Sequence, residues 1–171
     1  YGQQFVVKPV ASSSRRDVHK VESATALADA AQHVLANHAQ CMIEVYIPGQ
    51  AVTVSSVPGL RGVALYHSPI MTWRRNFFDD AEARTDDTLI PAHIPRHQKD
   101  TIYKEIDQLY RALELQGAVR TDLVVTPDGQ VYFLEVNTLS PLLNKSAMPQ
   151  SMEAVGVSVA ELVEQQLRNT L

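Results

Sequence analysis

This 171-residue sequence has one cysteine, no large excess of positive or negative charge and no long apolar run. Each of these features excludes a class of protein. The single cysteine, Cys41, excludes an internal disulfide, and its apolar surroundings (CMIEVYI) favour a buried structural thiol in a reducing cytosol. A net charge of -4, with lysine and arginine spread along the chain, provides no basic stripe for nucleic acid and no polybasic membrane anchor. No run approaches the roughly 18 apolar residues of a membrane span, and the start carries no signal-peptide pattern. We therefore expect a cytoplasmic protein that acts on small molecules.

The overall amino-acid composition is that of a globular domain. Apolar residues make up 45% of the chain, which is normal for a protein with a real core, and the length corresponds to about one domain. The chain starts YGQQFVVKP, with no initiator methionine and a strand almost at once. We therefore expect it to be a piece of a longer protein.

Apolar periodicity predicts a mixture of strands and amphipathic helices. Strands are predicted at residues 5–8, 41–47, 51–57, 62–67, 119–125 and 131–136, and helices at residues 24–35, from 102 to near 117, and at 158–167. Pro48-Gly49 predicts a hairpin between residues 41–47 and 51–57, and Pro127-Asp128-Gly129 predicts one between 119–125 and 131–136. Residues 68–95 show no convincing periodicity, and a loop this long is usually functional or disordered.

The second predicted hairpin carries polar side chains that point to chemistry. Arg120 and Asp122 are two residues apart on one strand, as are Glu135 and Asn137 on its partner, so each pair shares a face. If the register permits, Asp122, Glu135 and Asn137 converge beside Arg120 as an oxygen cluster suited to Mg²⁺, whose remaining ligands are water and phosphate oxygens. A nucleoside triphosphate is the implied partner. The alternative is the ordinary solvated face of an antiparallel sheet.

Several blocks of the sequence resemble the C-terminal ATP-grasp domain of D-alanine–D-alanine ligases. These blocks are FVVKP, IEVYIPG, VRTDLVVTPDGQVYFLEVNTLS and SAMPQSMEAVGVSVAELVEQQL, in the family's order and spacing across nearly all of the chain. The resemblance implies an α+β ATP-grasp fold, in which antiparallel sheets flanked by helices form two subdomains that clasp a nucleotide. Residues 1–57 would be the small subdomain and 58–171 the large one, with a mobile active-site cover at 68–95 and a metal-binding hairpin at 118–137. The N-terminal domain of the parent protein would be absent.

The resemblance also implies a role for each matching position in nucleotide binding. Lys8 would contact the ATP phosphates, and the adenine pocket would be lined by Glu44, Val45, Tyr46 and Ile47. Ser13 and Ser14 could bind phosphate through their hydroxyls, and Arg84 would stand in for a lysine of the family's cover loop.

The remaining implied roles concern metal ions and catalysis. Asp122, Glu135 and Asn137 would hold the metal, two Mg²⁺ ions with Mn²⁺ as a substitute. Arg120 would stabilise the negative charge of an acyl phosphate and of tetrahedral intermediates. Ser146 would lie near the substrate carboxylate.

The activity implied by the resemblance is ATP-driven formation of a D-alanyl-D-alanine bond for peptidoglycan precursors. The substrate would be D-alanine or another amino acid, and a homodimer is one candidate assembly.

Two departures from the family pattern keep alternatives open. The loop after Lys8 reads VASSSRRDVHKV and lacks glycine, although close approach of backbone to phosphate normally needs it. Pro141, which has no amide hydrogen, aligns with a glycine of the family's oxyanion site. The alternatives are a degenerate domain that serves as a binding or interaction module, and a carboxylate-amine ligase for another substrate.

Overall fold

The computed structural model describes residues 3–11, 17–73 and 88–170, which form two compact units divided between Pro48 and Gly49. Both units combine helices with antiparallel sheet, so the predicted α+β class is confirmed. Within the described ranges, no helix is both long enough and apolar enough to cross a membrane.

The first unit is a three-stranded antiparallel sheet packed against one helix. Its elements are β1 (Phe5–Pro9), β2 (His19–Val21), α1 (Ala24–Asn37) and β3 (Cys41–Val45), with strand order β2-β1-β3. Ser23 caps α1, since its hydroxyl oxygen accepts a 3.1 Å hydrogen bond from the Ala26 amide. The apolar face of α1 packs through Ala30 and Val34 onto Val7 of the sheet, and Cys41 is partly buried against this core.

The second unit contains the larger sheet. Its elements are β4 (Gln50–Pro58), β5 (Leu65–His67), β6 (Met71–Trp73), β7 (Thr88–Leu89), α2 (Arg96–Ala112), β8 (Val119–Val125), β9 (Val131–Asn137), α3 (Ala147–Glu153) and α4 (Val159–Thr170). The strand order is β7-β6-β4-β8-β9, and β5 also pairs with β4. A short 3₁₀ turn, Leu60–Gly62, follows β4.

Helices cover both faces of this sheet at β4. On one face, Ile102 and Ile106 of α2 pack with Val52, Val54 and Leu123 in the main core. On the other face, Val57 packs with residues of α3 and α4, including Met148, Met152 and Leu162. Alternation along β4 therefore sends Val52 and Val54 towards α2, and Thr53, Ser55 and Val57 towards the opposite face.

The predicted hairpin between residues 41–47 and 51–57 is wrong. β3 pairs with β1, whereas β4 pairs with β8, β5 and β6 in the other sheet. Pro48 and Gly49 do break the chain, but the break separates two sheets instead of joining neighbouring strands. Strand β4 therefore belongs to the second unit, and the division falls before Gly49 and not near residue 57.

Four elements, β2, β6, β7 and α3, were missing from the prediction because each is short. Residues 68–95, predicted to lack elements, contain β6 and β7, and the amide of Ala92 donates to the Ile70 carbonyl at 2.7 Å. Strand β2 has three residues, too few to show alternation. Helix α3 has seven residues and contains Pro149 in its first turn, where a missing amide hydrogen is tolerated.

Candidate metal centre

The hairpin of β8 and β9 brings the predicted metal-binding residues together. In its register Asp122 lies directly opposite Glu135, and Arg120 lies directly opposite Asn137. All four side chains therefore share one face of the sheet. The strand register therefore lets Asp122, Glu135 and Asn137 converge beside Arg120. The sheet face opposite α2 carries two carboxylates, one amide and one guanidinium.

A β-bulge at Leu134 sets this arrangement. Leu123 pairs with Phe133, whereas the preceding Asp122 pairs with Glu135, so Leu134 is an extra residue in β9. Val131 and Val136 are an odd number of residues apart, yet both pack against the α2 core. The bulge resolves this conflict by shifting the alternation, so that Glu135 faces away from α2 while Val131 and Val136 stay partly buried beside it.

Both carboxylate oxygens of Asp122 are hydrogen-bonded. Oδ2 accepts from Arg120 Nε at 3.1 Å and Arg120 Nη2 at 2.9 Å, and also from Asn137 Nδ2 at 3.3 Å. Oδ1 accepts from the hydroxyl of Thr53 at 2.6 Å. Asp122 is about four-fifths buried, with a side-chain exposure of 19%, so these bonds hold the carboxylate in one orientation.

Thr53 is a member of this cluster that sequence reasoning missed. It lies opposite Asp122 in the β4–β8 register and is 1% exposed. The available signal was a polar residue at alternate positions of an otherwise apolar strand, Thr53 and Ser55 in AVTVSSVP. In α3, Ser151 donates to the Ser55 hydroxyl at 3.2 Å, so a row of buried hydroxyls continues away from Asp122.

Glu135 differs from Asp122 in having no hydrogen-bond or ion-pair partner among the described residues. Its side chain is exposed and accepts no hydrogen bond from the parts of the chain that the structure describes. Asn137 uses its Nδ2 on Asp122, which leaves its carbonyl oxygen Oδ1 without a protein donor among those same residues. The cluster thus offers one fixed carboxylate, one free carboxylate and one amide oxygen.

In the first unit, Lys8 and Glu44 form an ion pair. Lys8 Nζ lies 2.5 Å from Glu44 Oε2, because the two residues are diagonal neighbours on adjacent strands, on the face opposite Val7. Their side chains are 25% and 36% exposed, so both remain open to solvent. The lysine predicted to contact phosphate and the glutamate predicted to line the adenine pocket are therefore neighbours.

The rest of the predicted adenine segment extends β3. The amide of Tyr46 donates to the Gln4 carbonyl at 2.8 Å, and the ammonium of Lys20 lies 4.1 Å from the centre of the Tyr46 ring. Val45 is half exposed, and Ile47 is half-buried.

Ser146 is the N-cap residue of α3 and is half-buried. Its side chain makes no capping bond, and within the described ranges no hydrogen bond joins it to Arg120 or Asp122. The predicted phosphate residues Ser13 and Ser14 and the cover-loop residue Arg84 lie outside the residues that the structure describes.

Comparison with known proteins gives consistent matches along the whole chain. The profile of the family described as D-ala D-ala ligase C-terminus matches residues 2–168. A D-alanine--D-alanine ligase of Gloeobacter violaceus is 32% identical over 176 aligned residues, covering 99% of this chain and 56% of that protein. One from Anaeromyxobacter sp. strain Fw109-5 is 31% identical, covering 96% of this chain and 53% of that protein.

Solved structures give the same result. A D-alanine--D-alanine ligase from Bacillus anthracis complexed with ATP superposes with a TM-score of 0.76 at 25% identity, covering 98% of this chain and 50% of that one. The ligase of Coxiella burnetii, at 21% identity, has a TM-score of 0.80 over 96% of this chain and 44% of that one, a likeness of fold alone. The chain spans about half the length of the curated relatives it matches.

Proposed function

Because the chain belongs to the D-ala D-ala ligase C-terminus family, we propose that it is the ATP-binding and catalytic part of an enzyme that joins two D-alanine molecules. Its α+β architecture is the ATP-grasp fold of the ligases to which it is similar. The proposal covers the parent protein, since the relatives are about twice as long as this chain.

The proposed reaction has two steps. The carboxylate of the first D-alanine attacks the γ-phosphorus of ATP, which forms an acyl phosphate and releases ADP. The amine of the second D-alanine then attacks the acyl carbon, loses a proton, and displaces inorganic phosphate. The product is the D-alanyl-D-alanine unit of peptidoglycan precursors, made in the cytoplasm where ATP is supplied.

The observation that carries the proposal is the oxygen cluster of Asp122, Glu135 and Asn137 on one face of the hairpin. Its donors are two carboxylates and an amide oxygen, all hard ligands of the kind that Mg²⁺ takes together with phosphate oxygens and water. Glu135 is exposed and has no described partner, and a carboxylate on a solvated sheet face is free to bind an ion. These residues therefore fit Mg²⁺, and we assign them two ions, with Mn²⁺ as a substitute.

When bound, Mg²⁺ supplies positive charge to the phosphate oxygens. Arg120, which is ion-paired with Asp122, would add a fixed positive charge and stabilise the charge that develops on the acyl phosphate and tetrahedral intermediates. Asp122, with Thr53 on one oxygen and Asn137 on the other, holds that guanidinium in position.

Nucleotide binding is assigned to described residues of the first unit and to three residues outside the described ranges. Lys8 would bind phosphate oxygens, exchanging its ion pair with Glu44 for them, and Glu44, Val45, Tyr46 and Ile47 would line the adenine pocket. Ser13, Ser14 and Arg84 complete the phosphate contacts in this proposal. Ser146, at the start of α3, is assigned to the substrate carboxylate.

The decisive experiment is a calorimetric titration of the protein with ATP, with and without Mg²⁺, on the native sequence and on Glu135→Gln. The proposal expects binding that needs both Mg²⁺ and Glu135, and D-alanine-dependent release of ADP. Because Glu135 is exposed and has no partner within the described ranges, the variant should lose less than about 0.5 kcal/mol of stability. Glu114→Gln, an exposed glutamate of the same unit outside the cluster, is the matched control. A large drop in melting temperature for Glu135→Gln would mean that this residue is structural.

A second candidate function is a degenerate ATP-grasp domain that acts as a binding or interaction module. It is favoured by one observation, the absence of glycine from VASSSRRDVHKV at residues 10–21. This candidate predicts no ATP binding by the parent protein at any Mg²⁺ concentration. ATP binding without D-alanine-dependent ADP release would instead favour a carboxylate-amine ligase for another substrate, and a panel of amino acids would identify it.

A further inference from the structure

A second cluster of ligand-type side chains lies in the first unit and includes none of the residues assigned to ATP or Mg²⁺. Asp17, His19 and His33 each place one candidate ligand atom within 4.8 Å of the others. Asp17 and His19 are two residues apart at the start of β2, and His33 projects from α1, which packs on β2. Packing of α1 on β2 thus brings His33 close to Asp17 and His19, although His33 lies 16 residues after Asp17 in the sequence.

The carboxylate of Asp17 is already held between histidines. His38, at the C-terminal cap of α1, lies with Nε2 2.8 Å from Asp17 Oδ2, and His33 Nε2 lies 3.6 Å from Asp17 Oδ1. The hydrogen bond to His38 fixes the orientation of the carboxylate and leaves Oδ1 directed at His33. An outer hydrogen bond of this kind typically orients a metal-binding side chain.

The ion pairs of Asp17 with His33 and His38 do not explain the environment of His19. Its Nε2 is fully buried and has no hydrogen-bond partner in the described part of the chain, one of only two such side-chain atoms found there. Its ring meets the ring of His33 edge to face, with centroids 5.2 Å apart and planes at 85°. A buried ring nitrogen without a partner costs free energy, and a bound metal ion is one means of satisfying such a histidine.

We propose that Asp17, His19 and His33 form a binding site for a transition-metal ion of the Zn²⁺ class, with His38 as the positioning residue for Asp17. Two imidazole nitrogens and one carboxylate oxygen match the ligands of Zn²⁺, and three protein ligands leave a fourth position for water or another small ligand. Ligand atoms around tetrahedral zinc stand roughly 3.4 Å apart, given bond lengths of about 2.0–2.1 Å. The 3.6 Å distance between His33 Nε2 and Asp17 Oδ1 is already close to that value, and the widest separation, up to 4.8 Å, would have to shorten by up to about 1.4 Å.

The donor chemistry separates this site from the cluster on the hairpin. Imidazole ligands suit Zn²⁺, Ni²⁺ and Cu²⁺, whereas an all-oxygen set suits Mg²⁺. Every residue of the proposed site lies in the first unit, and Asp122, Glu135 and Asn137 lie in the second. The inference therefore does not rest on the proposed ligase function.

The test is titration of the metal-free protein with Zn²⁺ against a competing chromogenic chelator, without nucleotide or Mg²⁺. We expect one tight Zn²⁺ ion per chain and an affinity at least about 10-fold lower in His33→Ala and in His19→Ala. His97→Ala, which removes an exposed histidine of α2, is the matched control and should leave the affinity unchanged. His33 is 56% exposed, so its variant should fold even if loss of the half-buried His19 ring destabilises the protein.

Two further readouts separate a built site from scattered surface histidines. Co²⁺ in place of Zn²⁺ should give the visible absorption bands of a tetrahedral site in the native protein and not in His33→Ala. At the same Zn²⁺ concentration, the urea midpoint of the native protein should rise by more than that of His33→Ala, because stabilisation by a ligand increases with its affinity for the folded state. Absence of saturable binding, or binding that survives in both His33→Ala and His19→Ala, would overturn the proposal.

Discussion

Arg120 donates two hydrogen bonds, of 3.1 and 2.9 Å, to the same oxygen of Asp122, two residues further along β8. The guanidinium is thereby fixed on the sheet face that also carries Glu135 and Asn137. Its position is set by the strand itself, because residues at alternate positions of a strand lie side by side. This pair gives the candidate site a fixed positive charge before any ligand binds.

Arg120→Ala should separate catalysis from metal binding. Loss of one fixed charge that stabilises a developing anion typically lowers turnover by about 10²–10³-fold. Removal of the guanidinium also leaves Asp122 Oδ2 with only the hydrogen bond from Asn137, so the affinity for Mg²⁺ should stay the same or rise. The measurements are steady-state ADP release with D-alanine and a Mg²⁺ titration in the presence of ATP. Unchanged turnover would show that Arg120 only orders Asp122; Arg111→Ala, at an exposed arginine of α2, controls for net charge.

Thr53→Val should destabilise the fold through Asp122. The change keeps the shape of the buried side chain but removes the donor of the 2.6 Å bond to Oδ1. A hydrogen bond to a charged group contributes about 1.5–3 kcal/mol, and we expect a loss in that range in urea unfolding. Thr101→Val, where an exposed hydroxyl of α2 donates to the His97 carbonyl, should change stability by less than about 0.5 kcal/mol. Equal losses in the two variants would argue against a special role for Thr53.

Because of His67, the free energy of unfolding should decrease as the pH falls below about 6.5. Burial lowers the pKa of His67 below its usual value, partly opposed by the hydrogen bond to Asp107 at 3.2 Å, and Nδ1 is 2.8 Å from the Ser56 hydroxyl. The unfolded chain therefore binds this proton at higher pH than the folded chain does. The stability contributed by neutral His67 is complete above the unfolded pKa of 6.5 and is lost as pH falls from there towards the folded pKa.

Urea unfolding between pH 8 and pH 5 measures this effect. His67→Gln should be less stable than the native protein at pH 8, and its stability should depend less on pH across that interval. His97→Gln, at an exposed histidine, should retain the native pH dependence. Native-like pH dependence in His67→Gln would contradict the prediction.

Patterns among neighbouring residues correctly predicted helix α1 and the turn between β8 and β9, because helix caps and tight turns involve only residues close together in the chain. Ser23 and the three-to-four-residue apolar spacing predicted α1, which begins at Ala24 with Ser23 as its cap. Pro127-Asp128-Gly129 predicted the turn between β8 and β9, where Gly129 has a φ of +86° that favours glycine. The same reasoning failed at Pro48-Gly49, since a turn signal states that the chain breaks and not which strand it meets next.

The sequence by itself determined the strand positions of Arg120, Asp122, Glu135 and Asn137, the two-residue spacings, and the family to which they point. The tertiary structure alone decided that β4 lies beside β8 and supplies Thr53, that the bulge at Leu134 turns Glu135 to the face of Asp122, and that α1 brings His33 to Asp17. The physical reason is that periodicity and caps are properties of neighbouring residues. Strand partners, bulges and helix packing depend instead on contacts between residues far apart in the chain, whose free energy no local pattern records.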